Sequence, residues 1–97
     1  MATLRWTAEA EQWLKDIFDY IALENPQAAN KVVSGIYQKA QILESFPEIG
    51  YNYRTEPEAS ISILLYGHYR IAYIIQDEYI DVLGVFHGAL DIDRYFP

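Results

Sequence analysis

Apolar residues recur at helical spacing between residues 13 and 21, at Trp13, Leu14, Ile17, Phe18 and Ile21. This pattern predicts an amphipathic helix that runs to about Leu23. Thr7 stands where an N-cap belongs, and Glu9 and Glu11 follow in the first turn, where the helix dipole favours acids. Glu9, Gln12, Asp16 and Asp19 fall on the opposite side and form a solvated acidic face. A second stripe, Ala29, Val32, Val33, Ile36, Ala40 and Leu43, predicts a second helix. Asn25 caps its start, and Pro26 at the first helical position loses no hydrogen bond it would have made. Phe46-Pro47 closes it, and Gly50 lets the chain turn. So short a connection makes the two helices antiparallel neighbours. Trp13, Phe18 and Ile36 are core positions by this periodicity.

The period changes from about 3.6 to 2 in the last third. Residues 2–6 alternate and predict a short strand, and 51–54 a second one within a polar connection over 47–59. Three further strands are predicted at 60–66, 69–76 and 79–87, separated by Gly67-His68 and Asp77-Glu78. If Asp77-Glu78 is a two-residue hairpin loop, Gln76 pairs with Tyr79. Alternation then sets Arg70 opposite Val85, and Arg70, Asp81 and His87 on one face. Tyr69, Ile71, Tyr73 and Ile75 with Ile80, Val82 and Phe86 form the better core face. The Arg70 face is mixed, with Ala72, Ile74, Leu83 and Val85, and asks for another partner. A helical turn is predicted around Leu90 to Tyr95. The expected fold is α+β: an N-terminal strand, an antiparallel helical hairpin and a three-stranded antiparallel meander in one sheet, with a short C-terminal helical turn. Residues 1–97 form one domain, without repeats or internal boundaries.

Composition narrows the functions such a domain can carry. The chain has 97 residues and 52% hydrophobic content, enough for a core but little more. Fourteen acids against seven bases give a net charge of −7, which opposes unaided binding to a phosphate backbone. There is no cysteine, which excludes a disulfide frame and a thiolate zinc site. No apolar run approaches the roughly 18 residues of a membrane span, and Met1 to Trp6 lacks a signal-peptide layout. A cytoplasmic protein without membrane contact is the expectation. Nine tyrosines, seven of them after residue 50, suit a protein interface as well as a packed sheet.

Few residues carry chemistry. Arg70 suits a phosphate or an acidic partner, and equally an ion pair with Asp81 or a tail carboxylate. His87 suits proton transfer, and equally a structural hydrogen bond at a strand end. His68 lies in a turn. Two histidines without a third ligand make a poor metal site, so neither metal nor cofactor is expected. Asp91 and Asp93 precede Arg94-Tyr95-Phe96, either a contact segment or a capped final turn packed through Leu90 and Tyr95.

The order of these elements resembles the RelE/ParE toxin family, the toxin halves of type II toxin–antitoxin pairs. The resemblance spans nearly the whole chain. It rests on Tyr20-Ile21-Ala22 before Asn25-Pro26, on Ala28-Ala29 opening the second helix, and on Leu43, Pro47 and Gly50 at its exit. Tyr69-Arg70-Ile71 with Tyr73, and His87-Gly88-Ala89 with Asp91, complete it. The resemblance implies a cognate antitoxin, toxin–antitoxin hetero-oligomers, and roles in growth inhibition and plasmid stabilisation.

Two branches follow from the resemblance. ParE-like members poison DNA gyrase by protein binding and need no active site of their own. RelE-like members cut messenger RNA on the ribosome, which would assign Arg70, His87 and Arg54 as catalytic groups. The His87-Gly88 pairing and the helical hairpin place this chain nearer to ParE. Leu90 stands where the family commonly carries arginine, and residues 47–66 hold only Arg54 as a base, against the lysine-rich segment of the nucleases. A degenerate, non-toxic, antitoxin-binding member is the third alternative. Antitoxin- or target-binding residues are expected among Tyr66, Arg70, Tyr73, His87, Asp91, Arg94 and Tyr95, on the helical hairpin surface and the mixed sheet face.

Overall fold

Thr7 begins the first helix in extended backbone, and its hydroxyl accepts from the Ala10 amide at 3.1 Å. The helix, α1, spans Ala8–Ala22. Asn25 repeats the device for α2, Pro26–Gln41, accepting from Ala28 at 3.0 Å with Pro26 in the first turn. The apolar stripe of α2 continues beyond Gln41, but the backbone tightens there into a 3₁₀ turn, Ile42–Glu44. Such tightening satisfies carbonyls that an ending α-helix leaves open. The computed structural model describes residues 2–55, 57, 60–88, 92 and 94–96.

Five strands make one mixed sheet: β1 Thr3–Trp6, β2 Tyr51–Thr55, β3 Ser60–Tyr66, β4 Tyr69–Gln76 and β5 Tyr79–His87. Their spatial order is β1-β5-β4-β3-β2. The α+β architecture is the one expected, with β2 extending the meander to four antiparallel strands and β1 joining parallel to β5. Asp77, with a φ of 49°, makes the reversal between β4 and β5, and Gln76 pairs with Tyr79. Ile92, Arg94 and Tyr95 are helical, and the Phe96 amide donates to the Ile92 carbonyl at 2.9 Å. Leu90, the expected start of that turn, lies outside the described residues.

The helices cover one sheet face. Ala10 and Leu14 of α1 and Ile36 and Ala40 of α2 pack with Leu43, Leu64, Ile71, Tyr73, Ile80, Val82 and Val85. Ile36 is fully buried, as its spacing predicts, whereas Trp13 and Phe18 are only half-buried. Gly35 lets the sheet approach α2, because a Cβ there would stand 1.9 Å from the Tyr66 hydroxyl. The opposite face holds a second cluster: Ile61, Ile63, Ala72, Phe86 and Ile92, bordered by Trp13, Tyr53, Ile74, Leu83 and Phe96. Part of the face expected to await a partner is thus covered by the chain's own last residues.

The register of β5 departs from simple alternation. Tyr73 pairs with Val82, but Ala72 pairs with Gly84, so Leu83 is an extra residue on β5. A bulge of one residue exchanges the faces of all that follows. Arg70 therefore lies opposite Phe86 rather than Val85, and His87 lies opposite Tyr69. Phe86 moves to the second cluster and Val85 to the helix-covered core, the reverse of the sequence expectation. Arg70 and His87 occupy opposite faces, so the expected grouping of Arg70, Asp81 and His87 is corrected.

Candidate functional site

Trp13, Asp16, Ile17, Tyr20 and Ile21 share one side of α1 because residues three and four apart are neighbours on a helix. Tyr69 at the start of β4 and His87 at the end of β5 face them across a groove of about 380 Å³. The groove exists because β1 is short. It pairs with Tyr79 to Val82 and stops, which leaves no strand beside the outer edge of Leu83–His87 among the described residues.

Thr7 turns the chain at that point. Its amide and its hydroxyl both donate to the Val82 carbonyl, at 3.1 and 2.7 Å. The helix then runs over the open end of β5. Gly84 permits close contact there, since a Cβ would stand 2.7 Å from the Phe86 ring and 3.3 Å from Trp13. The Trp13 and Phe86 rings meet edge to face with centroids 4.6 Å apart.

The groove is apolar within and acidic at its rim. Tyr20 is 78% exposed, and Leu23, just beyond α1, is 83% exposed. Asp16 is exposed and accepts from Gln12 at 2.8 Å. A smaller depression of about 190 Å³ continues past Trp13 and Asp16 to Glu9, Gln12 and Tyr95. Within α1, Glu9, Glu11, Asp16 and Asp19 stand against Lys15 alone, which is bound to Asp19 at 2.6 Å. Burial raises the pKa of the Tyr69 phenol. The His87 ring is exposed, 5.3 Å from Tyr69 and 6.0 Å from His68 between centroids.

The residues singled out in the sequence are dispersed. Arg70 is half-buried between Leu65 and Phe86 on the second face, its Nε without a hydrogen-bond partner among the described residues. Asp81 is held elsewhere, in a bidentate pair with Arg5 at 2.7 and 3.0 Å. Arg54 donates to the Phe96 carbonyl. Tyr73 is fully buried; its hydroxyl donates to Pro47 at 2.8 Å and accepts from Gly50 at 3.1 Å, so it fastens a loop and offers no surface. Tyr66 packs on α2 at Gly35. Arg94 and Tyr95 are exposed, and Tyr95 also touches Trp13 and Phe86, at centroid distances of 6.0 and 5.4 Å. Asp91 lies outside the described residues. No cluster of three metal-ligating side chains occurs among the described residues, and no described helix is long and apolar enough to cross a membrane.

Sequence reading expected a binding surface on the helical hairpin and named His87 for it, but it named for that surface none of the α1 residues that line the groove, nor Tyr69. The groove's signal was the excess width of the α1 stripe, with Tyr20 and Leu23 beyond what a single covered face needs. A second exposed apolar patch, Phe46 to Ile49, follows the 3₁₀ turn.

Comparison with known proteins supplies the family. A family model described as the ParE toxin of the type II toxin–antitoxin system, parDE, matches residues 4–92. A chain from the chromosomal ParDE toxin–antitoxin system of P. aeruginosa superposes with a TM-score of 0.73 at 24% identity, covering 92% of this chain and 98% of that one. A chain from the toxin–antitoxin complex RelBE2 of Mycobacterium tuberculosis gives 0.56 at 22% identity, covering 89% and 96%. No curated protein matches in sequence.

Proposed function

Since the chain belongs to the ParE toxin family of type II toxin–antitoxin systems, we propose that it inhibits DNA gyrase by protein binding and that a cognate antitoxin neutralises it. The observation that carries this reading is the contrast between dispersed chemistry and converging apolar surface. Arg54 and Arg70 belong to one sheet face and His87 to the other, so the groups a nuclease would need are not gathered. Half-buried aromatic and aliphatic side chains do gather, along α1 and the start of β4, with Tyr20 and Leu23 exposed beside them. Apolar grooves of this kind accept partner segments. The solved ParDE and RelBE2 systems, each a toxin–antitoxin system by its description, support an antitoxin as the occupant. Action would be cytoplasmic, in a toxin–antitoxin hetero-oligomer.

The test is a gyrase assay with purified chain. Loss of supercoiling and accumulation of cleaved DNA are expected, with transcripts intact in a translating extract. Unaltered supercoiling together with cut messenger would reject this reading for the ribosome-dependent nuclease. Unimpaired growth on expression without antitoxin, with unaltered supercoiling and intact transcripts, would mark a non-toxic member.

A further inference from the structure

The groove along α1 combines a largely apolar lining with one acid, Asp16, on the helix side and His87 on the sheet side. Trp13, Ile17, Tyr20, Ile21 and Tyr69 supply area for apolar anchors. Asp16 lies on its rim, and Glu9 and Asp16 line the depression that continues it. Lys15, the base of α1, is already engaged by Asp19. The wider protein carries −7, so the long-range field draws cations and repels a second copy of the same chain. By contrast, α2 carries Lys31 and Lys39 and no acid, so the acidic surface is a property of the α1 side of the hairpin.

We propose that the segment occupying this groove is a cationic amphipathic peptide, with lysine or arginine set against Asp16 and Glu9 and aliphatic or aromatic anchors on the Trp13–Tyr20–Tyr69 floor. The proposal rests on the reading that a protein antitoxin neutralises this chain, and it names the chemistry of that antitoxin's docking segment. Apolar anchors supply the affinity. The rim charges set orientation and encounter rate, and exclude acidic segments of the same length.

The experiment uses the full chain and two synthetic probes of equal length, one patterned with lysine and leucine and one with glutamate and leucine. Binding is followed by tryptophan fluorescence and amide chemical shifts. The lysine probe should bind, weaken with added salt and shift Trp13, Asp16, Tyr20, Tyr69 and His87, while the glutamate probe should not. Asp16→Lys with Glu9→Lys should weaken the lysine probe about tenfold or more. Glu48→Lys with Glu78→Lys, which alters net charge equally away from the groove, should change it little. Equal effects of the two double variants, equal binding of both probes, or shifts mapped elsewhere would overturn the proposal. So would a concentration-dependent shift of the groove residues without any probe, the mark of a second copy.

Neutralisation assays separate the two ideas. A cognate antitoxin that protects cells equally from wild-type and Asp16→Lys/Glu9→Lys chains would overturn the cationic segment and leave the antitoxin reading standing. If the protein encoded beside this chain gives no protection and no complex, the antitoxin reading fails, and the probe titrations alone decide the chemistry of the groove.

Discussion

The two halves of β5 obey different rules although one strand contains them both. From Tyr79 to Val82 each residue meets the partner that alternation predicts, with β1 on one side and β4 on the other. From Gly84 to His87 the facing is reversed, and α1 takes the place of β1 at the outer edge. The difference is one residue, Leu83. It sends His87 to the helix side, beside the groove that the short β1 leaves open, and away from Arg70. A period-two reading carries information only as far as the first bulge.

The reversed half is the place to break this contrast hardest. Phe86→Ala should cost about 3–5 kcal/mol in urea unfolding, because the ring is fully buried against Trp13, Tyr95 and Phe96. A loss below about 1 kcal/mol would mean that Phe86 does not anchor the second cluster. Gly84→Ala should cost about 1–3 kcal/mol by overpacking, since the new methyl meets the Phe86 ring at 2.7 Å. Adding Phe86→Leu should recover part of that loss, and strict additivity of the two changes would contradict the contact.

The regular half is sharpened by two milder changes. Tyr73, the last β4 residue in simple register with β5, loses two hydrogen bonds in Tyr73→Phe. About 1–3 kcal/mol is expected, together with faster amide exchange at Gly50. Tyr37 packs on Trp6, which pairs with Val82, at a centroid distance of 4.6 Å. Burial, and then its hydrogen bond to Glu11, push the Tyr37 phenol up from 10.0 to about 12. A folded pKa above the unfolded one means folding favours the neutral phenol. That contribution is complete below about pH 10 and disappears as pH rises through about 12. Thermal midpoints should therefore fall across that window, and Tyr37→Phe should flatten part of the fall.

Much of the fold was legible because its signals are local. The caps at Thr7 and Asn25, the strands at 60–66, 69–76 and 79–87, and the reversal at Asp77-Glu78 depend on residues within a few positions of each other. The bulge does not. Its one sequence sign is Gly84 inside a strand pattern, a residue that often marks a bulge or a close approach and here marks both. The parallel pairing of β1 with β5 joins residues about 76 apart in the chain, which no local period encodes. The family resemblance survived the error over Arg70 and His87 because it rests on element order and short motifs. The proposed site did not survive it, because a site is a matter of which face each side chain takes.

Thr7 binds both the start of α1 and the carbonyl of Val82, so the two walls of the groove are pinned together at that end. At the other end, Tyr20 and Leu23 stand free in solvent. With one end pinned and the other in solvent, the expected opening is from the Tyr20 side, like a clothes-peg. A seated segment would therefore peel away from that side first, and Thr7→Val, which removes the hydroxyl's part of the pin and leaves the amide's, should shorten its residence time more than it slows its arrival.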